Sequence, residues 1–162
     1  MRRMRLIVPV AAVCLLATPQ GAAAQARRQA PEQKTVPVTL DLKVGAEAVQ
    51  GTGAGRCTHA PMASIYDVRA QMWTAGYETN GEPVQLTFWR PTDKSADMFG
   101  LQASRVNIST VRGGTPSGSG TVTFEPTGKG GIFKIQAKAA DGTAIAGSIK
   151  CEAFLPHVAE GG

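Results

Sequence analysis

The sequence predicts an all-β protein: an antiparallel β-sandwich, or flattened barrel, of about 7–9 short strands closed by one disulfide. Apolar residues recur at every second position in several segments, as expected for strands with one buried face. Glycine and proline turns separate these segments. No segment shows the period of an amphipathic helix convincingly, which excludes most helical and α/β folds.

The N-terminus is typical of an export signal. Three arginines among the first five residues precede an apolar run, Leu6–Ala17, that is too short to span a bilayer. Small residues follow, and we expect residues 1–24 to be removed by cleavage after Ala24, with Ala26 as the alternative. The protein is therefore expected to be secreted or periplasmic and to meet a membrane only during export.

The remaining chain of about 138 residues fits one domain. We expect a disordered linker at residues 25–34, the β-sandwich domain at 35–155 and a flexible tail at 156–162. The precursor has 17 basic and 12 acidic residues, and loss of the leader arginines reduces the net charge from +5 to +2. Without a basic stripe, nucleic acid is not expected as a partner, and the protein is expected to be a monomer.

The segment Thr35–Val44 alternates strictly between polar and apolar residues and predicts the first strand. Pro37 has no backbone donor, so this strand, or at least its start, is expected at a sheet edge. Gly45–Gly55 is small and glycine-rich and is interpreted as a connector. Its Gly51–Gly55 part superficially resembles a nucleotide-binding loop, but no helix follows it.

The next segments are interpreted as strands joined by tight turns. A helix can be argued over Met62–Met72, but extended structure over Gln71–Glu78 fits better. Asn80-Gly81 is a hairpin signal, and the strand Val84–Arg90 follows it. Further elements are expected in this order: strands at Asp97–Ala103 and Val106–Val111, a loop at Arg112–Gly120, a strand at Thr121–Glu125 and a turn from Pro126 through Gly131.

The last hairpin allows its register to be predicted. A two-residue turn, Asp141-Gly142, would place the apolar residues of its two strands on opposite faces. A three-residue loop that adds Ala140 pairs Phe133 with Ile149 instead, with Gly142 left-handed, and directs the end of the second strand into the core.

The stretch GRCTHAPM contains Cys57, and the final strand ends at Cys151. In an oxidising compartment an isolated pair of cysteines predicts a disulfide, here across 94 residues. The alternative is a metal or redox site around Cys57 and His59, with Met62 and His157 as further ligands. That reading leaves Cys151 without a partner and takes its second histidine from the expected tail.

Enzymatic function is not expected, and no cofactor is predicted. The chain has no nucleophile elbow, no phosphate-binding loop and no dinucleotide fingerprint. A hydrolase with paired carboxylates remains an alternative, because several acidic residues lie near predicted turns: Asp67, Glu78, Glu82, Asp93 and Asp97.

Aromatic residues give the remaining functional signal. Phe88 and Trp89 are adjacent on one strand and must point to opposite faces, so Trp89 faces outward if Phe88 is in the core. Trp89, Trp73, Tyr77 and Tyr66 are candidates for stacking on a ligand. The alternative is that Trp73 is a core residue and that the following loop covers Trp89. We therefore expect an envelope or surface interaction module for an unknown protein or glycan, with a carbohydrate-binding domain as the alternative.

The mature domain resembles small exported bacterial β-domains of the lipoprotein-antigen type. The matching features, between Thr35 and Phe154, are the glycine-rich approach to Cys57 and the segments SGSGTVTF and GSIKCEAF. The resemblance concerns the order of elements and implies surface exposure and interaction rather than catalysis. The chain departs from it at Cys14, because Val13 stands where a lipid-attachment signal needs a small residue.

Overall fold

The computed structural model describes residues 34–79, 81–113 and 116–157, which belong to one compact unit, Gln33–Gly162. The expected signal peptide, nearly all of the expected linker and Asn80 lie outside the described residues, as do residues 158–162. The strands are β1 (Val36–Val44), β2 (Glu47–Ile65), β3 (Val68–Thr79), β4 (Glu82–Pro91), β5 (Met98–Ala103), β6 (Val106–Ser109), β7 (Gly118–Thr127), β8 (Gly130–Ala139), β9 (Ala144–Cys151) and β10 (Leu155–Pro156). The described part contains no helix long and apolar enough to cross a membrane.

The strands form one antiparallel sheet in the order β6-β5-β4-β3-β2-β1-β9-β8-β7, which curls into a nearly closed, barrel-like layer pair. The short strand β10 pairs in parallel with β2. The two ends of the sheet approach each other where the backbone N–H of Ser117 donates to the carbonyl of Ser109 at 3.1 Å. The predicted all-β class and flattened-barrel architecture are therefore confirmed.

The long strand β2 belongs to both layers of this structure. Its first half pairs with β1 as far as Gly55, and its second half pairs with β3 from Arg56 onward. The interpretation of Gly45–Gly55 as a connector was therefore wrong, because most of it is strand. The glycines leave space on the inner face that the ring of Tyr77 fills: a Cβ atom on Gly51 would lie 2.7 Å from Tyr77 Cε1.

Strand β1 as a whole lies in the interior of the sheet, between β2 and β9, so it is not an edge strand, although its start at Val36 and Pro37 has no strand partner on the β9 side. Its alternating burial over Val36–Val44 confirms the predicted pattern. Pro37 is tolerated because pairing with β9 begins only at Val38. The Pro37 carbonyl accepts the backbone N–H of Glu152 at 3.1 Å, so the missing donor faces a point where β9 has already ended.

The core lies between the two layers and contains the inward-facing residue of each alternating pair. Phe88 and Phe133 are fully buried at its centre, with ring centroids 6.0 Å apart. The aliphatic side chains around them include Val38, Leu40, Leu42, Val84, Leu86, Ile108, Ile135, Ile145 and Ile149. Burial of this many large side chains, each worth about 1.5–3 kcal/mol, is the main contribution to stability.

The predicted hairpin registers are confirmed at two places. Phe133 pairs with Ile149, and Gly142 has a φ of 91°, as the three-residue loop requires. Strand β3 ends at Thr79 and β4 begins at Glu82, as the two-residue hairpin predicts. Three boundaries differ from the expectation: β6 ends at Ser109, β7 already begins at Gly118, and Gly130 and Gly131 open β8 rather than forming a turn.

The turn between β2 and β3 was not predicted. Tyr66 and Asp67 form a two-residue turn between Ile65 and Val68, with φ values of 48° and 63°. Such left-handed conformations are normally supplied by glycine, asparagine or aspartate, so Asp67 is a common residue here but Tyr66 gives no signal for this turn. The Tyr66 ring lies against Gly113, where a Cβ atom would be 3.0 Å from Tyr66 Cε1.

Candidate functional site

The predicted disulfide between Cys57 and Cys151 is confirmed, with the Cα atoms 6.2 Å apart and both residues fully buried. Cys57 lies on β2 and Cys151 ends β9, the two strands that flank β1. The bond therefore crosses the inner side of the start of β1 and ties both of its neighbours together. It is compatible with an oxidising compartment, and it leaves the Cys57 sulfur unavailable as a ligand or nucleophile.

His59 lies two residues after Cys57, on the inner side of β2. Its ring is stacked on Trp73 with the ring centroids 4.5 Å apart and 9° between the planes. Its Nε2 atom is buried without a hydrogen-bond partner among the described residues. Burial lowers the pKa of His59, and a hydrogen bond with the Gln71 side chain opposes this shift. His59 is therefore held in its neutral form at neutral pH.

The other two residues of the metal alternative, Met62 and His157, have different environments. Met62 is 87% exposed on the surface of β2. His157 is brought beside β2, where its backbone N–H donates to the carbonyl of His59 at 3.0 Å. Within the described ranges, no group of three histidine, cysteine, aspartate or glutamate residues is placed to hold a metal ion.

An aromatic cleft of about 510 Å³ opens at the end of the sandwich next to His59. Trp73 and Phe124 meet at its base, with ring centroids 4.9 Å apart. Arg90 lies over the rings of Trp73 and Phe88, at 5.9 and 5.4 Å, and is paired with Asp97 at 3.2 Å. The cleft is mainly a continuation of the core, because Trp73 is only 5% exposed.

The four predicted stacking residues do not form one platform. Trp73 and Tyr77 face inward, Trp73 against the core and Tyr77 over the glycines of β2. Trp89 faces outward, as predicted, and is half-buried on β4. Tyr66 is 59% exposed at the tip of the β2–β3 hairpin. Only Trp89 is therefore placed on a sheet surface where it could contribute to a larger binding face.

The acidic residues of the hydrolase alternative are distributed over three separate turns. Asp67 lies in the β2–β3 turn, Glu78 and Glu82 flank the β3–β4 turn, and Asp93 and Asp97 lie between β4 and β5. Asp93 Oδ1 accepts the backbone N–H of Ser95 at 2.9 Å. Hydrogen bonds to the Ser95 side chain, first, and to its backbone N–H, second, lower the pKa of Asp93. Asp93 is thus kept ionised as a turn residue, and Asp97 is engaged by Arg90.

The outer surface of strands β2 to β6 carries two aligned rows of polar side chains. The register places one hydroxyl-rich row directly across the strands, and it consists of Thr58, Thr74, Thr87, Gly100 and Ser109. The neighbouring, amide-rich row consists of Arg56, Gly76, Gln85, Gln102 and Asn107. We call these ten positions the polar face. They alternate with buried residues such as Leu86, Phe88 and Leu101 and so lie on the outer side of the sheet. Thr58, beside β10, is only 6% exposed, and its hydroxyl is hydrogen-bonded to that of Thr74 at 2.7 Å.

Two depressions interrupt the polar face, one at each of its glycines. The larger, of about 510 Å³, lies at Gly76 and is lined by Thr74, Glu78 and Gln85 among others. The smaller, of about 270 Å³, lies at Gly100 and is lined by Thr87 and Gln102 among others. Because neither glycine would bring a Cβ atom into a clash, both positions have open space above the backbone.

The outer surface of the opposite layer has a different chemistry. Strands β1, β7, β8 and β9 direct charged side chains outward, and we call these the charged face: Asp41, Lys43, Glu125, Lys134, Lys138 and Lys150. Several are paired there, as in the contact of Lys134 Nζ with Glu125 Oε1 at 2.6 Å. On the polar face, by contrast, the only charged residue is Arg56, at one end. The outer surface of β2 to β6 is therefore uncharged in its central part, while Arg56 and Glu78 bring charge to the larger depression near one margin.

Sequence reasoning did not find the polar face. Each strand contributes only two residues to it, and the alignment of threonines and amides becomes visible only when the cross-strand register is known. One feature of the sequence could have indicated it. The central outward positions of β4 and β5 contain no lysine or glutamate, which is unusual for a solvated strand surface.

Comparison with protein-family models, with curated proteins and with solved structures finds no match for this chain. The polar face is the best candidate, because it combines accessible hydrogen-bonding groups with concave surface.

Proposed function

We propose that the protein is an exported, non-catalytic binding module that recognises an envelope component through its polar face. Export is supported by the signal-like N-terminus and by a disulfide that suits an oxidising compartment. The binding role is supported by the asymmetry between the two outer surfaces.

The single observation that carries this proposal is the uncharged, register-aligned array of hydroxyl and amide groups. A solvated sheet surface is usually interspersed with charges of both signs, as the charged face of this protein is. The polar face instead offers neutral donors and acceptors along its centre and around the smaller depression, and charged side chains, Arg56 and Glu78, reach only the larger one. Such an arrangement suits a ligand that forms many neutral hydrogen bonds.

The non-catalytic role is supported by the placement of the cysteine and of the acidic side chains that could serve in catalysis. The Cys57 sulfur is used in the disulfide, and the acidic residues of the hydrolase alternative are divided among three turns. Catalytic acids and bases normally converge on one cleft and have pKa values adjusted to their task. No such convergence is found on the polar face within the described residues.

The proposal is tested by adding charge and bulk to the polar face at positions that have room. Gly100→Lys fills the smaller depression without a backbone clash, and Ala146→Lys adds the same charge to the charged face as a matched control. Co-sedimentation of labelled protein with isolated cell envelope measures binding. We expect Gly100→Lys to weaken retention by about tenfold or more, while Ala146→Lys behaves as wild type. Equal retention of all three proteins would contradict the proposal.

A further inference from the structure

We infer that the ligand of the polar face is an uncharged, extended glycan chain that lies across the strands β2 to β6. This inference rests on the proposed function and specifies the class of ligand. The dimensions of the face, its hydrogen-bonding chemistry and the apolar row beside it all suit such a chain.

The dimensions of the polar face suit a linear chain of sugar rings. Neighbouring strands are about 4.7–4.9 Å apart, so five strands present a track of about 19 Å from Arg56 to Asn107. Each ring of an extended hexose chain advances by a similar distance. Successive rings of a chain that runs perpendicular to the strands would therefore meet successive strands in the same way, over about four rings.

The hydrogen-bonding groups of the polar face suit sugar hydroxyls. A sugar hydroxyl both donates and accepts, and so do the amides of Gln85, Gln102 and Asn107 and the hydroxyls of Thr87 and Ser109. The centre of the track offers no cation to a phosphate or a carboxylate, so polyanionic chains would be desolvated there without compensation. An uncharged polymer avoids this cost.

An apolar row lies directly beside the hydroxyl row. Met72, Trp89 and Met98 are aligned across β3, β4 and β5, and Trp89 follows Thr87 by two residues on the same face. Met98 is only 5% exposed, so the half-buried Met72 and Trp89 supply the accessible apolar surface. The C–H faces of hexose rings pack on indole because both surfaces are apolar. The depression at Gly100, in the neighbouring hydroxyl row, allows a ring to approach the backbone beside this row. Hydrogen bonds on one side and apolar contact on the other match the two kinds of surface that a sugar ring presents.

The test is a titration of the folded, oxidised protein by isothermal calorimetry with unbranched neutral hexose oligosaccharides of increasing length. Chains of β-1,4- and α-1,4-linked glucose and of β-1,4-linked mannose are compared with polygalacturonate as the charged counterpart. We expect affinity to increase up to about four rings and then level off, with no measurable binding of polygalacturonate.

Three variants relate this binding to the polar face. Trp89→Ala is expected to weaken the best oligosaccharide by about tenfold. Thr87→Val removes one hydroxyl at similar volume and is expected to weaken binding of the same oligosaccharide by about threefold to tenfold. This variant tests the polar face even if Trp89→Ala does not fold. Ala146→Lys, on the charged face, should leave the affinity unchanged.

The outcomes separate this inference from the proposed function. If no neutral glycan binds while envelope retention still depends on Gly100, the glycan inference is wrong and the polar face binds an envelope component of another class. Affinity independent of chain length, or equal binding of polygalacturonate, also overturns the inference. If, in addition, Gly100→Lys leaves the retention of the protein on cell envelope unchanged, the proposed function itself is wrong.

Discussion

The imidazole ring of His59 lies parallel to the indole ring of Trp73, with a centroid separation of 4.5 Å. Nε2 is buried in this stack and has no hydrogen-bond partner among the described residues. Adding a proton to this ring creates a buried charge and a donor without an acceptor, and for that reason the pKa of His59 is lowered by burial.

This relationship predicts that stability decreases in mild acid. The folded-state pKa lies below the ordinary value of 6.5, so the unfolded chain binds a proton first as the pH falls. The free energy of unfolding should decrease as the pH drops below about 6.5 and level off once the folded-state pKa is passed. Urea denaturation between about pH 7.5 and pH 5 measures this change.

The control for this prediction is His59→Phe, which keeps a ring on Trp73 but does not titrate. Asp93 and Asp141 have lowered pKa values, so their contribution to stability is present above the ordinary value of 3.8 and is lost only in stronger acid. His157 is present in both proteins. An equally steep pH dependence in the variant would show that His59 is not the group responsible.

Replacing both cysteines, as Cys57→Ala with Cys151→Ala, should lower the free energy of unfolding by about 4.5 kcal/mol. The bond closes a loop of 94 residues, and its loss increases the conformational freedom of the unfolded chain. Guanidinium denaturation of the oxidised wild type and the double variant gives the difference. A loss below about 1 kcal/mol would indicate that the crosslink does not restrain the unfolded chain as argued.

Gly51→Ala should destabilise the protein by about 1–3 kcal/mol, because the new methyl group would overlap the ring of Tyr77. Gly100→Ala, where a Cβ atom meets nothing within 4 Å, is the matched control and should change stability by less than about 0.5 kcal/mol. Thermal or urea unfolding measures both. In the background of Tyr77→Leu the cost of Gly51→Ala should shrink, and a cost that persists there would locate the clash elsewhere.

The two tryptophans should differ in their access to solvent. Trp73 is 5% exposed in the core, whereas Trp89 is half-buried on the outer surface. Acrylamide should therefore quench the fluorescence of Trp89 in a Trp73→Phe variant more strongly than that of Trp73 in a Trp89→Phe variant. Comparable quenching in the two single-tryptophan proteins would contradict the placement of these residues.

Local patterns predicted the elements whose burial alternates regularly. The segment Val36–Val44 and the hairpin that pairs Phe133 with Ile149 have one apolar face each, and a shift by one residue would expose that face. Their registers are therefore determined within the segment. The disulfide was predictable for a related reason, because this register directs Cys151 inward.

The errors arose where a distant residue determines the local structure. Gly51 is in a strand because Tyr77, on the next strand, fills the space that its missing side chain leaves. Pro37 is accepted in an interior strand because β9 ends opposite Val38. The polar face required five registers at once, so no single segment could reveal that Thr74, Thr87 and Ser109 lie in line.

Strand β2 spans 19 residues and supplies hydrogen-bonded pairs to both layers of the sandwich. Neither layer can be detached as a stable half, since removing either one strips the shared strand of one partner. Denaturation should therefore be a single all-or-none event, and a protease acting on the native protein would encounter no long-lived, partly open form that retains only one of the two layers.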